Sequence, residues 1–205
     1  MPKNKIFDFL LSSKNNNISN KGFTLAEVLI VIAIMLFLLP MVLTNYNAGD
    51  KQFSLYRSAH DLAQDLRNAQ EMAMTGKTTP VQFGENFPAG GYGLFFEDYK
   101  NSYILFADCD GDNEYDASGI AASCAEASSA SGESYPEKLQ ELSLESGVVI
   151  LSLTPSSPLT IVFFPPIPVI TIRPQPSNNE AVINLVLGGK SKIITINTAG
   201  LIDVD

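Results

Sequence analysis

The longest hydrophobic stretch of the chain lies near its beginning, at residues 23–43. It contains one charged residue, Glu27. As a helix this stretch would be about 31 Å long, which matches the roughly 30 Å hydrocarbon core of a bilayer. The pattern therefore predicts a membrane-spanning helix. A cleaved secretory signal is the alternative, but such signals are shorter and end in a small-residue cleavage pattern that is not found here.

The following residues, 44–76, have a helical pattern of another kind. Apolar residues recur at spacings of three and four, with charged residues between them: Tyr56, Ala59, Leu62, Ala63, Leu66, Ala69 and Ala73. This periodicity predicts an amphipathic helix, which Gly76 would terminate. We therefore expect one long helix from about residue 23 to residue 75, bent near Pro40. Two helices separated by a break at residues 45–49 are the alternative, because Asn and Gly are poor helix formers.

From residue 77 onward, short β-like runs alternate with Gly, Pro, Asn and Asp. The candidate strands are residues 81–83, 92–96, 103–108, 148–153, 159–164, 169–172, 181–187, 192–197 and 201–204. Residues 117–134 are rich in Ser, Ala and Gly, which predicts a surface loop. Strands that follow a single helix indicate an α+β fold. In that fold the amphipathic second half of the helix packs on an antiparallel β-sheet or a small β-sandwich.

Charge is distributed unevenly along the chain. Residues 1–22 contain four lysines and one aspartate, a sum of +3, whereas the whole chain has a formal net charge of −9. A basic start before a hydrophobic span favours a cytoplasmic N-terminus and an exported C-terminal domain, residues 77–205. The acidic body makes nucleic acid an improbable partner, because phosphate binding needs clustered Lys and Arg.

The chain offers few residues for catalysis. Its single histidine, His60, has no other metal ligand at a suitable spacing, and no nucleophile or phosphate-loop motif is present. We therefore expect a protein that is not an enzyme and that needs no catalytic cofactor.

Two features of the β-rich region have open alternatives. Cys109 and Cys124 would form one disulfide in an exported domain and would be two ordinary thiols in the cytosol. The neighbouring acids resemble part of a calcium-binding loop, in which carboxylates surround one cation. The candidate ligands are Asp108, Asp110, Asp112 and Asp116. The alternative is a solvated acidic turn, because Asp, Asn and Gly favour turns without any ion.

The segment from Lys21 to Val31 reads KGFTLAEVLIV and resembles the processing site of type IV prepilins and pseudopilins. In that family a basic leader ends in Gly, and prepilin peptidase cuts after it on the cytoplasmic side and methylates the new N-terminal Phe. A Glu at the fifth mature position is a family hallmark. The resemblance implies that residues 1–22 are a leader ending at Gly22, that Phe23 is the methylated N-terminus, and that Glu27 acts in assembly.

Three further segments, residues 62–70, 103–108 and 193–202, are similar to H-type minor pseudopilins of type II secretion and to FimT-like minor pilins. The resemblance implies a structural minor subunit of a type II secretion pseudopilus or a type IV pilus, which crosses the inner membrane once. Its partners would be other pilin or pseudopilin subunits, prepilin peptidase and the inner-membrane assembly platform. Two other interpretations remain: a minor pilin whose β domain is a surface ligand-binding or adhesion module, and a single-pass envelope hydrolase.

Overall fold

The structure is a computed structural model that describes residues 22–121, 123–127, 135–165 and 169–205, without the side chains of residues 42–48. The predicted leader, residues 1–22, therefore lies outside the described residues except for Gly22. The chain divides into two compact units, Met1–Asn45 and Tyr46–Asp205.

The predicted single long helix is confirmed, because helix α1 spans Leu25–Met74. The bend near Pro40 stays a prediction. The alternative with a break at residues 45–49 is wrong. Asn and Gly cost at most about 1 kcal/mol each inside a helix, which good helix formers on both sides can offset. The helix ends at Met74, one residue before the predicted end, and Gly76 terminates it as predicted. Gly76 has a left-handed φ of 63°, and the N–H groups of Gly76 and Lys77 donate to the carbonyls of Ala73 and Met72, which is the Schellman arrangement.

In the unit Met1–Asn45, the helix from Leu25 to Met41 is apolar except for Glu27, and its large apolar side chains are 47–83% exposed. Among the described residues, no helix has the combined length and apolar character needed to cross a membrane. The predicted span at residues 23–43 is therefore not confirmed. The side chains of residues 42 and 43 lie outside the description.

The described part of the unit Tyr46–Asp205 contains nine strands in two antiparallel sheets. A five-stranded sheet has the order β3-β2-β1-β5-β6, and a four-stranded sheet has the order β4-β7-β8-β9. The strands are β1 Gly91–Phe96, β2 Ser102–Asp108, β3 Lys138–Ser143, β4 Val149–Thr154, β5 Leu159–Phe164, β6 Val169–Arg173, β7 Glu180–Leu187, β8 Lys190–Asn197 and β9 Ile202–Val204. A helix followed by antiparallel sheets confirms the predicted α+β class.

The second half of α1 packs against the sheets through the predicted apolar face, with one correction. Tyr56, the first predicted member of the face, is 39% exposed, and Leu55 is buried instead. That face joins one hydrophobic core with residues of both sheets, and its helical members are Leu55, Ala59, Leu62, Ala63, Leu66, Ala69 and Ala73. Four of these residues are alanines. Burial of this face, rather than helix propensity, supplies most of the stability of such a helix.

One predicted strand is absent, and one observed strand was not predicted. Residues 81–83 form a 3₁₀ turn rather than a strand. The turn follows Pro80 and closes at Gly84, whose φ is 98°, a conformation that favours glycine. Strand β3 was not predicted. It is an edge strand whose side chains are exposed or half-buried, so it lacks the apolar alternation that marks a strand with one buried face. The described residues of the predicted loop at 117–134 contain no helix or strand.

The five-stranded sheet also has a small packed cluster on the face away from α1, called here the outer face. Phe106 and Val162 are fully buried but are not part of the core that contains the helix. Gly93 makes room for this packing, because a Cβ at that position would lie 2.6 Å from the Phe106 ring. The segment after β2 folds over this face, since Tyr115 packs against Phe106 with ring centroids 5.5 Å apart.

Candidate functional site

The predicted processing residues precede the first turn of α1. Gly22 and Phe23 are exposed and non-helical. Apart from the adjacent residues, no atom of the described residues lies within 4 Å of the position that a Cβ of Gly22 would take. Phe23 is 83% exposed. A peptidase needs an accessible, non-helical bond, and the bond between Gly22 and Phe23 meets both conditions.

Thr24 is the N-cap of α1, a role that the motif-based interpretation missed. The N–H of Glu27 donates to Oγ1 of Thr24 at 3.2 Å. Thr followed three residues later by Glu is the capping-box pattern, so the sequence did contain a signal for this contact. Glu27 also lies in the first turn, where a negative charge is favourable beside the helix N-terminus. Glu27 therefore has a local structural role in addition to its predicted assembly role.

The same end of the helix presents Glu27 within an apolar surface. A groove of about 300 Å³ is lined by Phe23, Glu27, Val28, Val31 and Ile32. Residues four apart on a helix lie on the same face, so Val31 follows Glu27 and Ile32 follows Val28. In the described part of the chain Glu27 makes no ion pair. An unpaired carboxylate next to exposed apolar side chains can form an ion pair with a positively charged group of another molecule.

A second cluster of candidate residues begins at the end of β2, where the structure joins Cys109 and Cys124 in a disulfide. Both cysteines are buried in the core of the β-rich unit. The bond ties the segment after Cys109 to the 3₁₀ turn, because the N–H of Cys124 donates to the carbonyl of Phe83. The disulfide therefore fixes one end of the acidic loop, defined here as residues 108–116.

The carboxylates of the acidic loop accept hydrogen bonds from backbone N–H groups of the loop itself. Asp108 is fully buried and accepts from Gly111 at 2.7 Å and from Asn113 at 3.0 Å. Gly111 and Asn113 both have left-handed φ values. Asp110 accepts from the N–H of Asp112, which is the usual way in which Asp stabilises a turn.

Glu137, which precedes β3, completes this cluster and was not predicted. It is 1% exposed, and its two oxygens accept from the N–H of Cys109 at 2.7 Å and the N–H of Asp116 at 3.0 Å. Nothing in its sequence neighbourhood distinguishes it from an ordinary surface glutamate. Only the tertiary structure brings it to the acidic loop.

The buried position of these carboxylates changes their protonation. Burial raises the pKa of Glu137 to about 9, although hydrogen bonds from Asp116 and Cys109 oppose the shift, and the nearby Asp108 adds to it. Burial likewise raises the pKa of Asp108 to about 6, against the effect of the N–H groups of Gly111 and Asn113. Burial also raises the pKa of Asp110. Groups with raised pKa values would release protons if a cation bound them.

The acidic residues form two groups that could hold a metal ion among the residues the structure describes. One group is Asp108, Asp110 and Glu137, and the other is Asp110, Asp112 and Asp116; within each group the ligand oxygens lie within 4.8 Å of one another. The four predicted ligands are thus divided between two sets that share Asp110. Carboxylate oxygens are the ligands that Ca²⁺ prefers, while the turn hydrogen bonds explain the same loop without an ion.

Comparison with known proteins identifies one feature. Residues 18–39 match the prokaryotic N-terminal methylation motif. No curated protein and no solved structure matches the chain. The matched segment contains Gly22, Phe23 and Glu27, and it supports the resemblance to type IV pilin-like proteins that the sequence indicated.

Proposed function

We propose that this chain is a minor subunit, a pseudopilin or minor pilin, of a type II secretion pseudopilus or a type IV pilus. Prepilin peptidase cuts it between Gly22 and Phe23, and the mature chain assembles with other pilins through α1. The role is structural and includes no catalytic step. The observation that carries the proposal is the methylation motif at the start of a helix whose first half, Leu25 to Met41, is exposed and apolar apart from Glu27.

A helix that is apolar all round is stable where lipid or other protein covers it. We propose that residues 23–43 anchor the subunit in the inner membrane before assembly, with the basic residues 1–22 on the cytoplasmic side. The domain after residue 76 then lies in the periplasm or outside the cell. The disulfide between Cys109 and Cys124 supports this placement, because disulfides persist in oxidising compartments. The inner-membrane assembly platform is the partner from which the subunit would enter the fibre.

Glu27 is proposed to position the incoming subunit. Cleavage creates a positively charged amine on Phe23, and both this amine and the Glu27 carboxylate are costly to bury alone among apolar helices. Pairing the amine of one subunit with the carboxylate of another removes both penalties. The contact also fixes the axial position of one helix against its neighbour.

Processing is tested by mass spectrometry of the chain purified from the envelope. The mature protein should begin with an N-methylated Phe23. Replacing Gly22 by Leu should leave the leader attached, because a bulky side chain then precedes the bond to be cut. An intact leader on the parent chain, or a cut near Ala48, would contradict the proposal.

The assembly role is tested by comparing Glu27→Ala, Glu27→Asp and Thr24→Ala for leader cleavage and for incorporation into fibres. Glu27→Ala should be cleaved normally but fail to assemble, and Glu27→Asp should assemble in part because its carboxylate has a shorter reach. Thr24→Ala is the matched control: it removes the helix cap, at a cost of about 1 kcal/mol, and keeps the carboxylate, so it should assemble. If Glu27→Ala assembles as well as the parent, or if Thr24→Ala fails equally, the carboxylate does not act through a partner subunit.

A further inference from the structure

The outer face of the five-stranded sheet has a groove that the assembly role does not use. Its volume is about 570 Å³, within the range of small-molecule sites. The ends of three strands and the acidic loop line it. Side chains that line the groove include Phe95, Glu114, Tyr115, Thr160, Arg173 and Gln175.

Two aromatic rings form a preorganised apolar surface in this groove. Phe95 and Tyr115 lie with ring centroids 4.9 Å apart. The ring of Tyr115 also packs against the ring of Phe106, which is fully buried in the outer face of the sheet. Neither ring needs to move into the groove when a ligand arrives, so binding there would cost little conformational entropy.

Arg173 is the cation of the groove, and in the described part of the chain it makes no ion pair. Three other described cations form ion pairs; Arg57, for example, pairs with Glu145 at 3.0 Å. Glu114 lines the same groove but does not pair with Arg173. A guanidinium beside apolar surface is suited to bidentate binding of a carboxylate.

We propose that this groove binds a saccharide unit that carries a carboxylate. The C–H face of a sugar ring packs on aromatic rings, whose faces carry partial negative charge. The sugar carboxylate pairs with Arg173. Sugar hydroxyls donate to Glu114 and exchange hydrogen bonds with the Gln175 amide, so the lining supplies both the acceptors and the donors that a sugar requires.

An acidic peptide fits the groove less well. Peptides that bind to sheets add a strand at an unpaired edge. Strand β6, which ends at Arg173, is such an edge, but Thr160 lies on the next strand inward, β5, and Phe95 lies on the strand after that, β1. A peptide strand paired with β6 would therefore lie beside Phe95 rather than on it.

The test uses the full chain purified in detergent micelles and isothermal titration calorimetry with trigalacturonate. The matched ligand is the same trimer with its carboxylates methyl-esterified, which keeps the rings and removes the charge. We expect the acid to bind at least tenfold more tightly than the ester. Arg173→Gln should weaken binding of the acid at least tenfold and leave the weak binding of the ester unchanged, and Arg57→Gln should change neither.

Several results would overturn the proposal: no heat of binding at millimolar trigalacturonate, equal affinity for the acid and the ester, or no effect of Arg173→Gln. Equally tight binding of triglutamate would show that the groove selects acidic peptides instead of sugars. None of these results depends on leader cleavage or fibre assembly, so failure of this proposal is distinguishable from failure of the assembly role.

Discussion

Replacing Glu137 by Gln is expected to change how the stability of the β-rich unit depends on pH. In the folded protein Glu137 is 1% exposed, and burial raises its pKa to about 9 from an ordinary value of 4.5. In the unfolded chain the carboxyl regains the ordinary value. Between pH 5 and pH 8 the folded protein therefore keeps a proton that the unfolded chain has largely released.

The sign and size of the effect follow from this difference in bound protons. Because the folded state binds more protons, the free energy of unfolding decreases as pH rises. The stability that the Glu137 proton contributes is fully lost above pH 9. Each pH unit corresponds to about 1.4 kcal/mol, so three units lower the stability by about 4 kcal/mol. Asp108, with a pKa of about 6, contributes in the same direction at the acidic end of this range.

Glu137→Gln removes the titration and retains part of the hydrogen bonding. The amide oxygen can still accept from Cys109, but the amide nitrogen cannot accept from Asp116, a loss of about 1 kcal/mol. The variant should thus be about 1 kcal/mol less stable than the parent at pH 5. At pH 8 it should be about 3 kcal/mol more stable, because the parent alone has lost about 4 kcal/mol.

The assay is urea unfolding between pH 5 and pH 8 without calcium, followed by the near-ultraviolet circular dichroism of tyrosine. All 7 tyrosines lie within the unit Tyr46–Asp205, so the signal reports that unit. Glu141→Gln is the control, because Glu141 is an exposed glutamate of β3 whose pKa is lowered by its hydrogen bond from Lys138. Parallel pH profiles for the parent and Glu137→Gln would refute the reasoning.

Two other predictions concern the same loop. Replacing Cys109 and Cys124 by Ser should lower the free energy of unfolding by about 3 kcal/mol, since the bond closes a loop with a sequence separation of 15 residues; free thiols titrating in the protein from the envelope would contradict the disulfide. Calcium at 1 mM should raise the melting temperature, more at pH 8 than at pH 5 because the buried carboxyls must ionise. Asp110→Ala should abolish that rise, because Asp110 belongs to both candidate groups. If the melting temperature of the parent does not rise, the acidic loop is a solvated turn and not a calcium site.

The sequence by itself determined the features that depend on local patterns. The apolar residues at 23–43, the amphipathic period from Tyr56 to Ala73 and the stop at Gly76 were enough to predict the helix. The processing motif is likewise a contiguous string of residues, so its recognition needs no tertiary contact. Most strands were found because alternate or continuous apolar residues mark a strand that is buried on at least one face.

Only the tertiary structure decided what depends on contacts between distant residues. Strand β3 is exposed and charged and is held by pairing with β2, so its own sequence does not show it. Residues 81–83 have strand-like composition, but Pro80 and Gly84 turn them into a 3₁₀ turn. Glu137 reaches Cys109 across a separation of 28 residues, and Arg173 reaches the same groove as Tyr115. Strand order and register decide which of these distant residues come into contact. Sequences with the same local pattern could adopt a different strand order or register, so the pattern alone does not predict the contacts. The sequence therefore predicts which elements form, while the pairing of those elements decides which charges meet.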